Sequence, residues 1–299
     1  MMDKNIIFLL TYCEADEWIK FTPPSKFKEK FSNYRFIVLD NGDQPVMEQW
    51  CKDTDSIYYS AEQNIGSSGG YNWIFRVASL LKCKRAGLLQ ADVEILDVEK
   101  VLDVLFDSKW QDNEIPFWPQ VDRSEWDLHD PGQVYNLGQI FSFNADYILS
   151  NDFLVDENYV VTHFDDADLA RRMRDGGMEL HNQMLNLDLD CLHSHKIDYH
   201  NTHGDGVSHV ADGHYVIHHI SSSRSGNHED WLKYNQEYHN EKWFKEVNVV
   251  AWDRPFGNDN ELNYRKPHSK RWTDLHYLPY PVEHEVNRFY SLFPQLFNE

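Results

Sequence analysis

Residues Glu62–Phe75 read EQNIGSSGGYNWIF: five Gly or Ser and two Asn, followed at once by apolar residues. Tyr71, Ile74, Val77, Ala78 and Leu81 recur at helical spacing, so the stretch reads as a pliable loop opening into an amphipathic helix. A Gly-rich turn into a helix is the usual phosphate cradle, yet neither GxxxxGK[ST] nor GxGxxG is present. The loop is therefore expected to serve some other close approach of backbone to ligand.

Working outward, the flanking text alternates strands and helices. Upstream lie three apolar runs, Asn5–Tyr12 (NIIFLLTY), Tyr34–Asn41 (YRFIVLDN) and Ser56–Ala61 (SIYYSA). Downstream come Ala86–Leu89 as a fourth strand and Asp97–Asp107 (DVEKVLDVLFD) as an amphipathic helix. Continuous apolar strands alternating with helices predict a mostly parallel, Rossmann-like α/β sheet flanked by helices. Ligands of such sheets gather at the carboxyl ends of the strands. Asp40, Asn41, Asn64 and Asp92 all fall at or just past strand ends, which points to one shared site.

Further along, Pro116–Gly132 is irregular and aromatic, and Val134–Asn144 returns to strand composition. Trp110, Trp118 and Trp126 are open to two readings, stacking on sugar rings or packing as a surface lid. His163–Gly177 (HFDDADLARRMRDGG) reads as a short helix with acids in its first turn, Arg in its last turns and a Gly pair to stop it. Residues 1–229 are expected to form the main domain. Residues 230–299, rich in Trp and Tyr, are expected to be a helical or irregular extension packed on it.

The bulk numbers narrow the class. At 41% hydrophobic and 14% aromatic residues, the chain can build a large core and is not a disordered segment. No apolar run reaches the ~18–20 residues of a membrane-spanning helix. The start, MMDKNIIFLLTY, lacks a small-residue cleavage site and reads as a core strand and not a signal peptide. Four scattered cysteines without CxxC spacing fit a reducing, cytoplasmic setting. A formal charge of −21 disfavours nucleic acid as a partner. An acidic protein that binds a diphosphate needs a positive mediator, and a divalent cation held by carboxylates provides one.

Three constellations carry chemistry. In Leu88–Leu96 (LLQADVEIL) a strand runs out into Asp92, where a carboxylate can either hold a hard cation or cap the helix near Asp97. Asp165 and Asp166 sit at a helix N-terminus, which is expected to lower their pKa values and keep them ionised; one of them can act as a general base. Asp168 and Arg172 are one turn apart and can pair. The His-dense segment His193–His219 lacks HExxH or paired CxxC, so zinc has no motif. Its exception is Tyr215–Ser225 (YVIHHISSSRS), where His218 and His219 end a strand-like run and can add an imidazole near Asp92. Neither a GxSxG elbow nor a kinase signature is present.

Taken in order over Ile6–Gly177, and more weakly to Trp243, these pieces resemble the inverting glycosyltransferases of family 2 with the GT-A fold, the rhamnosyl- and galactofuranosyl-transferase type in particular. LLTYCEADEW resembles the opening strand and turn, with Cys13-Glu14 in place of Asn-Arg. IVLDNGD, NIGSSGGYN, LLQADVEI and FDDADLARRMRDGG resemble the successive motifs of that family, the second most specifically. VIHHISSSRS and YHNEKW are similar to its late His and Lys-Trp elements.

The resemblance implies a nucleotide-diphosphate sugar donor, with UDP or dTDP as carrier, contacted by Thr11, Tyr12, Asp40, Asn41, Asn64, Gly66, Gly70, Asn72, Gln90, Ala91 and Asp92. Asp40 falls on the Asp that reads the uracil or ribose, and Asn64, Gly66, Gly70 and Asn72 would form the wall against the donor. It implies Mn²⁺ or Mg²⁺ on Asp92 with His218 or His219, Gln90 standing where Asp or Asn is usual. It puts the catalytic base on Asp166, with Asp165 in the adjoining Glu position. Glycines in the loop would let backbone approach the donor without Cβ interference. The acceptor (a glycan, a lipid-linked sugar or another hydroxyl compound) is left open. Two other classes compete: a non-catalytic nucleotide-sugar-binding module, and a His-rich metalloprotein or hydrolase. A sugar nucleotidyltransferase lacks support, because no basic Gly-rich signature stands near the N-terminus.

Overall fold

The computed structural model describes residues 5–12, 14–62, 64–118, 137, 140–157, 159, 165–183, 199–200, 207–208, 216–218, 235–236, 238 and 282–297. Strand β1 (Asn5–Thr11) is followed by helices α1 (Ala15–Phe21) and α2 (Pro24–Lys30), β2 (Tyr34–Asp40), α3 (Pro45–Thr54), β3 (Ile57–Ser60), α4 (Gly66–Leu80) and β4 (Ala86–Gln90). Then come β5 (Val93–Ile95), α5 (Val98–Leu105), β6 (Glu114–Trp118), β7 (Ile140–Phe143), α6 (Ala145–Ser150), α7 (Asp165–Asp175) and β8 (Glu179–Asn182). The short strands β9 (Tyr199–His200), β10 (Val207–Ser208) and β11 (Val216–His218) precede helix α8 (Val282–Leu292) and a 3₁₀ turn.

Seven strands form one sheet in the order β3-β2-β1-β4-β7-β6-β8. β1, β2, β3 and β4 run parallel, β7 runs against both β4 and β6, and β6 pairs parallel with β8. The fold is thus the expected mixed, mostly parallel α/β sheet flanked by helices. Strand alternation divides β1 between two cores. Ile6, Phe8 and Leu10 face the core shared with α4, α6, α7 and α8, while Ile7 and Leu9 face the core of α1, α2, α3 and α5. Burial on both faces is why this strand reads as an unbroken apolar run.

Helix limits follow local chemistry. Pro45 starts α3, and Asp55 ends it in the left-handed region (φ 57°). The Asp97 carboxylate caps α5 by accepting the Lys100 backbone N–H at 3.1 Å. Pro116–Trp118 belong to β6 and not to an irregular excursion, and Trp118 is buried in the second core, where it neither forms a surface lid nor stacks on sugar. Trp110 lies just before β6, toward the sheet edge opposite the strand ends that carry Asp40 and Gln90, and donates Nε1–H to Val104 O at 2.6 Å. Trp126 lies outside the described residues. In the C-terminal region, α8 packs on α4, with Phe289 edge-on to Trp73 at 5.0 Å and to Tyr59 at 5.4 Å. No helix among the described residues is long and apolar enough to cross a membrane.

Candidate functional site

Because β1, β2 and β4 are parallel, Thr11, Asp40 and Gln90 finish their strands on one edge of the sheet. Backbone bonds extend that edge: Asn41 N–H donates to Thr11 O (2.9 Å), and Ala91 N–H donates to Leu10 O (3.0 Å). Tyr12 follows directly, its N–H bonded to the Glu14 carboxylate.

Asp40 is fully buried and occupied by protein donors. Its Oδ1 accepts Gly42 N–H (2.8 Å) and Gln44 Nε2 (2.9 Å), and its Oδ2 accepts Gln44 N–H (2.7 Å) and the Tyr58 hydroxyl (2.8 Å). A carboxylate has about four lone-pair sites, so in this conformation none remains for a base or ribose. Gln44, which was not singled out from the sequence, is the hub of this knot. It also donates to Thr11 Oγ1 (3.2 Å), and its Oε1 accepts Ala15 N–H (2.9 Å). The sequence signal was the turn DNGDQ itself, an Asp positioned to accept from residues two and four ahead.

The expected loop at Gly66–Gly70 is already helix: these residues form the first turns of α4. Asn64 and Ile65 lead directly into it. Asn64 Oδ1 accepts Gly66 N–H (2.8 Å), and Gly66 takes φ +70°, a conformation that Gly adopts without Cβ strain. Asn41 donates Nδ2–H to Gly66 O (3.1 Å), joining the β2 end to the α4 start, while its buried Oδ1 has no hydrogen-bond partner among the described residues. At Gly70 the absent Cβ serves packing on the sheet, since a Cβ there would lie 2.8 Å from Leu10 Cδ1. Asn72, 1% exposed, faces the segment after α6: Nδ2 donates to Val155 O (2.9 Å) and Glu157 Oε1 (2.7 Å), and Oδ1 accepts Val155 N–H (2.8 Å).

Helix α7 brings the second acidic pair. Asp165, 3% exposed, accepts the Ser67 hydroxyl and the Ser68 hydroxyl (3.2 Å), so the two helix N-termini are pinned together. Burial raises the Asp165 carboxyl above its ordinary value; hydrogen bonds from Ser67, its own backbone and Ser68 oppose that rise without cancelling it. The expectation that the helix N-terminus would hold Asp165 below the ordinary carboxylate range is therefore corrected, because desolvation outweighs it. Asp166 is half-buried and accepts Ala167 N–H (2.8 Å). Asp168 and Arg172 do pair at 2.8 Å, as a fully buried bridge and not a surface one, and Arg172 also donates to Leu154 O (2.6 Å).

Tyr71 joins α4 to the end of β4. Its hydroxyl accepts Gln90 Nε2 at 2.6 Å. Burial, then the negative charges of Asp165 and Asp166, and further the charge of Asp92, push the phenol well above its ordinary value. One buried hydroxyl thus senses the acids of α7 and the acid past β4. Apolar spacing marked Tyr71 as a core residue and gave no sign of this role, nor of Ser67 and Ser68.

Asp92 is half-buried in the turn between β4 and β5. Strand β11 pairs antiparallel with β5, setting His218 opposite Val93, the residue after Asp92. The chain thus brings the backbone of a late His beside the β4–β5 turn. His219 lies outside the described residues, as do His193, His195, His203, His209 and His214. A half-buried carboxylate such as that of Asp92 is the kind of oxygen ligand that suits Mn²⁺ or Mg²⁺.

Two further groups of possible metal ligands occur among the described residues, Glu62–His284–Glu285 and Glu114–Glu179–His181. The first has Arg288 3.2 Å from Glu62, which opposes a cation. The second gathers Glu114 at the start of β6 with residues of β8, on the edge opposite Asp40 and Gln90.

No family model and no curated protein matches the chain. Among solved structures, it is similar to a mannosyltransferase from Pyrobaculum calidifontis in complex with GDP-Man and Mn²⁺ (13% identity, 60% of this chain and 54% of that one, TM-score 0.44). It is also similar to S. aureus TarS 1-349 (13% identity, 91% and 78%, TM-score 0.47). A third is mannose-1-phosphate geranyltransferase from Thermus thermophilus (10% identity, 60% and 66%, TM-score 0.37). The chain spans about half the length of the first of these. These likenesses are distant, and the fold assignment rests on the strand order and pairing described above.

Proposed function

We propose that the protein is a GT-A-type glycosyltransferase that moves a sugar from a nucleotide-diphosphate donor, UDP- or dTDP-linked, to an acceptor hydroxyl with inversion. The observation that supports this reading is that Thr11, Asp40 and Gln90 end parallel strands on one edge, where the Gln90 amide bonds Tyr71 of α4 and Ser67 and Ser68 of α4 bond Asp165 of α7. That is where an α/β sheet binds its ligands, and on this reading cation binding falls to Asp92 and the base to Asp166. A divalent cation on Asp92, with His218 or His219 as a second ligand, would supply positive charge to the departing diphosphate.

The chain's own groups divide the remaining work. Asp166, at the start of α7, takes the proton of the acceptor hydroxyl, which attacks the anomeric carbon from the face opposite the leaving group. Asp165 ties α7 to α4 through Ser67 and Ser68. Thr11, Tyr12, Asn41, Asn64, Gly66 and Ala91 form the surface on which the nucleotide lies. Asp40, Asn72 and Gly70 support that surface from behind through the bonds and packing described above. Gln90 adds no charge, leaving Asp92 as the acid of the β4–β5 turn. The net charge of −21 argues against nucleic acid as acceptor and leaves glycans, lipid-linked sugars and other hydroxyl compounds.

The test is Asp166→Asn assayed by mass spectrometry against a panel of nucleotide-sugars, with UDP binding measured in MnCl₂. Transfer should fall by about 10²–10⁴-fold while UDP affinity stays within a factor of about three. Near-normal turnover would overturn the assignment. A wild-type protein that binds UDP without turning over any donor would mean a binding module instead.

A further inference from the structure

Helix α8 does more than cover α4 with apolar side chains. Glu285 is fully buried, and its carboxylate accepts the Glu62 backbone N–H at Oε1 (3.1 Å) and the Tyr59 phenol at Oε2. The Tyr59 hydroxyl lies 3.0 Å from Glu285 O as well. One turn on, Arg288 donates Nη1–H to Ser60 O (2.8 Å), pairs through Nε with Glu62 Oε1 (3.2 Å) and stands 3.6 Å from Glu285 Oε2. Its guanidinium also lies over the Tyr59 ring, 5.2 Å from the centroid.

These contacts fall on a short piece of chain. Tyr59 and Ser60 end β3, Glu62 lies in the connection to α4, and Asn64 and Gly66 are the entry residues of the candidate site. A carbonyl at residue 60 and an amide at residue 62 are thus satisfied by a helix more than two hundred residues away in sequence. Burying a carboxylate is costly unless it is fully hydrogen-bonded. Phe289 against Trp73 and Tyr59 would suffice to bury the apolar face of α8. Burial stabilises the helix without Glu285; what Glu285 adds is a fixed position for the Glu62 amide. Burial, then the Glu285 carboxylate, keep the Tyr59 phenol protonated as its donor.

We propose that Glu285 is a positioning residue: α8 sets the course of the β3–α4 connection, so docking of the C-terminal helix and occupancy of the site at the α4 N-terminus are thermodynamically coupled. The link to occupancy rests on the nucleotide-sugar reading above; the link between α8 and the connection does not. Coupling of this kind is reciprocal. A ligand that binds at Asn64–Gly66 must slow opening of α8, and loosening α8 must weaken the ligand.

Hydrogen exchange on the full chain reads both directions. Without ligand, Glu285→Ala should speed exchange at Glu62 and its neighbours by about tenfold or more, the loss of a bond to a charged acceptor, with β1 and β4 unchanged. Glu285→Gln should restore most of the protection, because its amide oxygen can still accept the Glu62 N–H. UDP with MnCl₂ should slow exchange across α8 in the wild type, and Glu285→Ala should raise the UDP dissociation constant about tenfold. Unchanged exchange at residues 61–66 in Glu285→Ala would overturn the proposal, as would faster exchange with unaltered UDP affinity. If Glu285→Ala fails to fold, the wild-type pair with and without UDP decides, and absence of added protection in α8 refutes the coupling. If wild type does not bind UDP, the nucleotide reading falls, and the ligand-free comparison of Glu285→Ala with wild type and Glu285→Gln decides alone whether α8 sets the connection.

Discussion

Asn72→Ala separates two roles for one residue. The sequence puts Asn72 on the wall of a donor site, whereas the structure turns its amide toward residues 153–157. Three hydrogen bonds would be lost: two with the Val155 backbone and one with the Glu157 carboxylate. Neutral bonds are each worth about 1 kcal/mol and one to a charged group about 1.5–3, so the total is about 3.5–5 kcal/mol. The upper part of that range applies if the Val155 amide is left buried and unsatisfied, as the 1% exposure of Asn72 implies. A typical domain has only about 5–15 kcal/mol in all, so the change should be large in urea unfolding followed by Trp fluorescence. It should also loosen α7, because Arg172 anchors to Leu154 in the same segment. Stability within about 1 kcal/mol of wild type, together with lost UDP binding, would refute this reasoning and return Asn72 to the donor wall.

Two smaller perturbations test neighbouring claims. Burial holds the Asp165 carboxyl above 3.8, so its contribution to stability is full below that pH and is lost as pH rises through the elevated value. Asp165→Asn, which cannot ionise and still accepts the Ser67 hydroxyl, should therefore be more stable than wild type near pH 7 and equal to it near pH 3 in thermal unfolding; a variant weaker than wild type at neutral pH contradicts this. Gly70→Ala puts a Cβ 2.8 Å from Leu10 Cδ1, an overpacking cost of about 1–3 kcal/mol against a gain of about 1 from helix propensity. The same substitution in a Leu10→Ala background should instead stabilise, and an equal effect in both backgrounds would show that the contact is not what Gly70 relieves.

Strand order along the chain, the parallel run of β1 to β4 and the common edge of Asp40, Asn64 and Asp92 were legible in the sequence, because a strand buried on both faces must be apolar throughout and parallel strands need helical crossovers. The pairing of Asp168 with Arg172 was legible for a similar reason, since four residues span one helical turn. These properties depend on near neighbours in the chain.

The direction in which each polar group spends its hydrogen bonds depends on far neighbours, and only tertiary structure fixed it. Asn72 and Gly70 belong to the motif that carried the resemblance, yet one binds a segment beyond residue 150 and the other makes room for Leu10. Asp165 sits at a helix N-terminus that should lower its pKa, but the packing of α4 against α7 desolvates it and reverses the sign. Tyr71 looked like one more apolar position until the Gln90 amide bonded its hydroxyl and burial, with the charges of Asp165, Asp166 and Asp92, raised its phenol. Composition and spacing record which groups are available. The three-dimensional packing decides which of them lose water, and desolvation is what turns a common side chain into a site.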